Sequence, residues 1–357
     1  MKKVVSLVGA RPQFVKAAVV SASIQKNSNL EELLVHSGQH YDFDMSAVFF
    51  EQLSIPSPNH HLEVGSGSHG HQTAEILAKF EDVLISESPD IVLVYGDTNT
   101  TLAGALAASK LHIPIAHIES GLRSFNRRMP EEINRIVTDS ISNLLFTPTT
   151  TATEQLLKEG HAPEQIRQVG DVMYDAMLTF GELASSQSAA SIETSSEQLI
   201  LATIHRAENT DNPTYLRNIL GALSQLSSDF EIILPLHPRT RRVLEEIDID
   251  LGEIKLLPPA SFFDMLVLES RASLILTDSG GVQKEAYFNR VPCVTVRTET
   301  EWIELVEHGW NRLAPPVSQE TIISSILESI GTRGSDDELY GNGTASPQIA
   351  ESLASMN

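Results

Sequence analysis

Val4-Val5-Ser6-Leu7-Val8-Gly9-Ala10-Arg11-Pro12 is an apolar run that stops at a short polar turn. The run has strand chemistry, Pro12 suits a first helical turn, and glycine lets the backbone approach an anion closely. The same pattern returns far along the chain, where Leu274-Ile275-Leu276-Thr277 leads into Asp278-Ser279-Gly280-Gly281. A strand feeding straight into a helix start aims N–H groups and the positive end of a helix dipole at one spot, which suits phosphate. Two such turns, far apart in sequence, predict two α/β domains holding one nucleotide-like ligand.

Working outward, strand-like runs occur at Leu33–Ser37, Ile91–Tyr95, Ile113–Ile118 and Leu144–Thr147, with helix-like stretches at Thr101–Lys110 and Glu132–Ser142. The alternation restarts at Leu199–Thr203, Ile232–Leu236, Ser273–Thr277 and Val294–Arg297. Near-continuous apolar strands separated by helices imply parallel sheets covered on both faces. The junction falls near Val169-Gly170-Asp171, giving domains over 1–170 and 171–344, with a last helix at about 345–357 returning to the first. Ala184–Gln198, rich in Ser, Ala and Thr, reads as a surface excursion or loose loop, and Gly331–Pro347 as a second stretch of turn chemistry.

A length of 357 residues accommodates two domains with separate cores. The formal charge of −22 argues against general nucleic-acid binding but leaves room for a small anion held by local arginines and helix starts. No apolar run approaches the ~18 residues of a membrane span, and the stretch after Lys2-Lys3 ends at Arg11-Pro12, too early for a signal peptide. The single cysteine, Cys293, reads as core and fits a reducing compartment.

Two motifs read as empty. Gly65-Ser66-Gly67-Ser68-His69-Gly70 fits G-x-G-x-x-G but follows the polar Ser57–His61 rather than a strand, so no nicotinamide or flavin site is expected. His60, His61, His69 and His71 lack companion ligand spacing for a metal and read as a mobile histidine-bearing loop.

Polar clusters fall just beyond strand carboxyl ends, where parallel sheets hold ligands: Tyr95–Asn99, His117–Arg123, His205–Asn209 and His237–Arg239. Each acid taken singly has a second reading. Asp97 either caps the following helix or works chemically, and Glu131 and Glu132 suit a first turn after Pro130 on dipole grounds alone. Arg11 and Lys16 either pair with neighbouring acids or bind ligand.

Gly9-Ala10-Arg11-Pro12-Gln13 with Lys16 resembles the opening motif of the non-hydrolysing UDP-N-acetylglucosamine 2-epimerases. The resemblance continues in order through Ser37-Gly38-Gln39-His40, Tyr95–Thr98, His117–Arg123, Pro130–Arg135, His205–Asn209 and Thr277–Glu285, as far as about Leu313. It implies a GT-B architecture: α/β, with two Rossmann-like doubly wound parallel-sheet domains and the active site in the cleft. It also implies a cytoplasmic homodimer with a UDP-sugar substrate and no cofactor or metal. The family route is anti elimination of UDP to a 2-acetamidoglucal, then re-addition with opposite configuration at C2, serving surface-polysaccharide precursors.

That chemistry has definite requirements. The C2 proton has no adjacent carbonyl, so departure of UDP must build positive charge on the ring before C2–H becomes acidic. The site needs cations on the diphosphate and acid/base groups near C2. The motif match assigns catalysis to Lys16, Asp97, Glu119, Glu131 and His205, with acid and base among the carboxylates left open. It assigns substrate binding to Arg11, Gln39, His40, Arg123, Arg206, His237, Arg239, Ser279, Gly280, Gly281 and Glu285. Within that set, His205 and the Ser279-Gly280 backbone hold the diphosphate, and Glu285 accepts from the ribose hydroxyls. Phe262 or Phe263 either flanks the uracil or belongs to the core.

The chain departs from the UDP-N-acetylglucosamine pattern at Ala10-Arg11-Pro12-Gln13, at His71-Gln72-Thr73, where an allosteric arginine is usual, and at Thr298–Trp302. With the short basic loop Ser124-Phe125-Asn126-Arg127-Arg128-Met129, these features together look more like the branch acting on UDP-2,3-diacetamido-2,3-dideoxyglucuronic acid. Arg127 or Arg128 either pairs with that uronate or decorates a solvated loop. Conversion of UDP-N-acetylglucosamine to its manno epimer is the first reading and the uronate the alternative. A GT-B glycosyltransferase, a hydrolysing epimerase and a non-catalytic UDP-sugar binder are the rivals.

Overall fold

The computed structural model describes residues 1–38, 53, 55–188, 198–246 and 249–356, with the side chains of all but Arg11, Glu182, 185–188, Pro238, 245 and 246. The chain divides into two compact units, Met1–Leu178 with Glu338–Asn357, and Thr179–Asp337.

In the first unit one sheet comprises β1 (Lys2–Val8), β2 (Leu30–His36), β3 (His60–His61), β4 (Ile91–Tyr95), β5 (Ile115–Ile118), β6 (Leu144–Thr147) and β7 (Ile166–Gln168). The order is β3-β2-β1-β4-β5-β6-β7, and all pairings are parallel. Its helices are α1 (Arg11–Lys26), α2 (His69–Glu87), α3 (Asn99–Lys110), α4 (Pro130–Ile141) and α5 (Thr150–Lys158), and α6 (Val172–Ser188) leads into the second unit.

The second unit builds a six-stranded parallel sheet from β8 (Leu199–Thr203), β9 (Glu231–Pro235), β10 (Lys255–Leu257), β11 (Leu274–Thr277), β12 (Cys293–Thr295) and β13 (Asn311–Leu313). The order is β10-β9-β8-β11-β12-β13. Its helices are α7 (Ala207–Thr210), α8 (Pro213–Leu226), α9 (Pro238–Glu246), α10 (Phe262–Arg271), α11 (Gly280–Phe288), α12 (Ile303–Glu307) and α13 (Gln319–Ser329). The last helix, α14 (Ala345–Ser355), lies against α1 and β2 of the first unit.

This is the α/β, doubly wound architecture that the sequence predicts. Each sheet reverses its winding once, between β1 and β4 and between β8 and β11. Such switch points leave room for a ligand beyond the strand carboxyl ends. The central strands have both faces covered: every residue of Ile91–Tyr95 and of Leu199–Thr203 is buried. Cys293 is buried in β12, and burial pushes its thiol up to about 12, in keeping with a core residue.

Two local expectations are corrected. His60 and His61 form β3, and His69 and His71 lie in the first turn of α2 rather than in a mobile loop. The polar opening of α2 hides its amphipathicity, which shows only at Ile76, Phe80, Val83 and Leu84. Ala184–Ser188 continues α6, while 189–197 lie outside the described residues. Among the described residues no helix is long and apolar enough to cross a membrane.

Candidate active site

The first unit's cluster forms where its sheet switches direction. Gln13, one turn into α1, accepts from Gly9 N (2.8 Å) and Ala10 N (3.1 Å) through Oε1. Its Nε2 donates to Tyr95 O (2.7 Å), Thr98 Oγ1 (3.0 Å) and Thr101 Oγ1 (3.1 Å). One buried amide therefore ties the turn after β1 to the turn after β4, and fixes Lys16 relative to Asp97. Gly9 is required at this join, since a Cβ there would lie 2.0 Å from Ser37 Oγ and 2.3 Å from Thr100 Oγ1.

Lys16 Nζ pairs directly with the Glu119 carboxylate, and the two side chains are only 9% and 12% exposed. A Cβ on Gly96 would lie 3.3 Å from Glu119 Oε2 and 3.8 Å from Lys16 Nζ, so the pair packs against the turn that carries Asp97. Glu119 has φ +71°, a left-handed conformation that costs a non-glycine residue about 1–3 kcal/mol and clusters at functional sites.

Below it, His117 Nδ1 faces Asp139 Oδ1 (2.7 Å) and Nε2 faces Gly96 O (2.7 Å). Both neighbours offer acceptor oxygens to the ring. Burial alone would raise the Asp139 carboxyl, but hydrogen bonding and charge from His117 and Arg123 hold it below the ordinary carboxylate value.

Asp97 does not cap α3. Thr98 does, its Oγ1 accepting from Thr101 N at 3.3 Å, which leaves Asp97 Oδ2 to accept from Arg135 Nη2 at 2.6 Å. Arg135 also donates through Nη1 to buried Glu132 (3.1 Å). Glu132 in turn accepts from Ser124 N (2.8 Å) and Phe125 N (2.9 Å), and so holds the start of the basic loop. Glu131, in the first turn of α4, is half-buried.

The second unit's cluster repeats the logic at its own switch point. Buried Asp278, after β11, accepts from His205 N (3.1 Å), Arg206 N (3.0 Å) and Asn209 Nδ2 (3.0 Å). The turn after β8 is thereby fixed to the start of α11. The His205 and His237 rings lie 5.7 Å apart. Partial desolvation, with electrostatic repulsion from neighbouring His205 and Arg239, holds the His237 imidazole below the ordinary histidine value. Ser279 is the N-cap of α11 and makes no side-chain cap bond, and Gly280 and Gly281 form the opening turn. Glu285 follows one turn later beside buried Glu269, whose carboxyl is pushed well above the ordinary value by burial and by the Glu285 charge.

Lys16, Glu119 and Asp97 are thus brought together in the first unit, and His205, Arg206, His237, Ser279, Gly280 and Gly281 in the second. Two arginines expected at substrate are already engaged. Arg123 is enclosed, its Nη2 on Asp139 Oδ2 (2.7 Å) and Glu159 Oε2 (2.6 Å) and its Nη1 on Leu122 O (2.7 Å). Arg239 meets Asp211 at 2.5 Å near the surface. Arg11 begins α1, with its side chain outside the description, and Gln39 and His40 lie outside the described residues. Phe263 is buried, with Phe180 and Phe262 ring centroids at 6.4 and 5.8 Å, the core alternative for that residue. The sequence gives no role to Gln13, Arg135 or Asp278, because each works through partners distant in the chain, and it gives Glu132 only a helix-dipole reading, without its bonds to the Ser124-Phe125 backbone. Among the described residues no group of three or more His, Cys, Asp or Glu is placed to hold a metal ion.

Chemically, the first unit offers carboxylates paired with cations at mostly buried positions, suited to proton transfer. The second offers imidazoles, a guanidinium and a helix start, suited to an anion.

The sequence profile described as UDP-N-acetylglucosamine 2-epimerase matches residues 22–354. The chain is 51% identical over 358 residues to the UDP-2,3-diacetamido-2,3-dideoxy-D-glucuronate 2-epimerase of Pseudomonas aeruginosa, covering 99% of this chain and 100% of that one. A UDP-N-acetylglucosamine 2-epimerase homolog from Methanococcus maripaludis is 50% identical over 362 residues, covering 99% and 100%. The crystal structure of Methanocaldococcus jannaschii UDP-GlcNAc 2-epimerase with UDP-GlcNAc and UDP superposes with a TM-score of 0.89 at 40% identity, covering 98% of this chain and 99% of that one. The two parallel α/β sheets are therefore those of a GT-B-like two-domain fold.

Proposed function

The chain belongs to the UDP-N-acetylglucosamine 2-epimerase family and is an isomerase of UDP-sugars, and from that premise we propose that its substrate is UDP-2,3-diacetamido-2,3-dideoxy-D-glucuronate, inverted at C2. The observation that carries the proposal is 51% identity, end to end, with the Pseudomonas aeruginosa enzyme of that name. The exposed Arg127 and Arg128 agree with it: a C6 carboxylate gives them a charge to meet, whereas a C6 hydroxyl does not. Support thus moves from UDP-N-acetylglucosamine, the first expectation, to the uronate. The archaeal relatives keep the former as the second reading.

In this account the second unit grips the leaving group. His205, Arg206 and the opening turn of α11 take the diphosphate, and Glu285 takes the ribose hydroxyls. The C1–O bond breaks with its electron pair going to UDP, a carboxylate removes the C2 proton, and the C1=C2 double bond forms. In the return step an acid delivers a proton to the other face of C2 and the UDP oxygen re-forms the bond to C1. Asp97, Glu119 and Glu131 are the proton carriers. Lys16 orients Glu119 and Arg135 orients Asp97. Arg123 acts as a positioning residue, through Asp139. The working form is taken to be a cytoplasmic homodimer on the family resemblance alone.

The test is turnover of both nucleotide sugars side by side, followed at C2 by NMR. The uronate is expected to give the higher kcat/KM, by at least about tenfold. A preference for UDP-N-acetylglucosamine would overturn the substrate assignment, and free sugar with UDP as final products would overturn the reaction.

A further inference from the structure

The opening turn of α11 is not vacant. Glu301 Oε1 lies 2.3 Å from where a Gly280 Cβ would sit, so a carboxylate oxygen rests directly on the helix start. Its side chain is only 8% exposed. The other oxygen, Oε2, accepts from Arg297 Nη1 at 3.0 Å, an ordinary charge-assisted hydrogen bond. Oε1 is also 3.8 Å from Arg206 Nη2, a looser ion pair. Glu301 therefore holds an anionic group on two of the features assigned to the diphosphate, the positive end of α11 and the Arg206 guanidinium. Gly280 is what permits this, because any side chain there would collide with the carboxylate. Arg297 is 3% exposed at its side chain and anchors Glu301 from the far oxygen, while Arg206 is 28% exposed and able to turn away.

We propose that Glu301 sets the affinity for nucleotide: its carboxylate occupies Arg206 and the α11 opening when no diphosphate is bound, and surrenders Arg206 to the diphosphate when one arrives. The inference rests on the reading of α11 as the diphosphate-binding turn. A second anion in the same cradle repels the diphosphate, so Glu301 weakens binding while remaining fixed to Arg297. This favours release of a nucleotide product over its retention.

The test is calorimetric binding of UDP and, separately, of uridine to wild type, Glu301→Gln, Arg206→Gln and the double variant. Glu301→Gln keeps the shape and removes the charge. It should bind UDP about tenfold more tightly and leave uridine binding unchanged. The gain should shrink when Arg206 is absent. Should Glu301→Gln fail to fold, Glu301→Asp, which draws the charge back from Gly280, is expected to shift UDP affinity the same way by less. Unchanged or weaker UDP binding by the folded variant, or a parallel change for uridine, would overturn the proposal. Failure of wild type to bind UDP at all would instead remove the diphosphate reading, and the inference with it.

Discussion

Glu119→Gln and Asp97→Asn are each expected to lower kcat by on the order of 10²–10⁴-fold, the range that a positioned acid or base contributes. Both changes keep size and shape and replace a titrating carboxylate by a neutral amide. Gln at 119 can still accept from Lys16, and the left-handed backbone there asks no more of Gln than of Glu. Asn at 97 can still accept from Arg135 Nη2, and Thr98 continues to cap α3. Circular dichroism should therefore match wild type and the urea midpoint should fall only modestly while turnover collapses. Near-normal epimerisation by both variants would remove the acids from the chemistry.

Asp139→Ala is expected to cost about 3–5 kcal/mol of stability, the range for breaking a buried ion pair from one side. The carboxylate is fully buried and receives His117 Nδ1 at 2.7 Å, Arg123 Nη2 at 2.7 Å and Gly121 N at 3.1 Å. Its removal strands charge and donors at fully buried positions. His117 also donates to Gly96 O, so the same change loosens the turn that carries Asp97. Urea unfolding reads the loss as a lower midpoint.

The pH dependence has a definite sign. Because the folded carboxyl lies below its ordinary value, its stabilisation is complete above the ordinary Asp range and is lost as pH falls through the lowered folded value. Asp139→Asn should weaken that acid limb. An unshifted midpoint for Asp139→Ala would show that the network is not what holds the turn.

The sheet-forming strands were legible because parallel strands buried on both faces read as continuous apolar runs. Ile91–Tyr95, Leu144–Thr147 and Leu199–Thr203 appear in the structure at the bounds that composition alone suggests. His60–His61, Lys255–Leu257 and Asn311–Leu313 were not legible, since two or three residues at a sheet edge carry no periodic signal.

The start of α2 was misread for a related reason. Gln72 there meets Asn99 Nδ2 at 2.8 Å, so its buried face begins polar. Asp97 shows how a site slips by one residue. Any Asp before a helix looks like a cap, and only Arg135, 38 residues away, reveals the alternative. Lys16 with Glu119 and His205 with Asp278 are separated by 103 and 73 residues, distances at which sequence pattern carries no pairing information.

The most direct test of C2 inversion through UDP departure is turnover of UDP-2,3-diacetamido-2,3-dideoxy-D-glucuronate in deuterated water, with C2 followed by NMR and the product by mass. An inverted product with UDP still attached and deuterium at C2 is expected. An inverted product that retains its original hydrogen at C2 would contradict it.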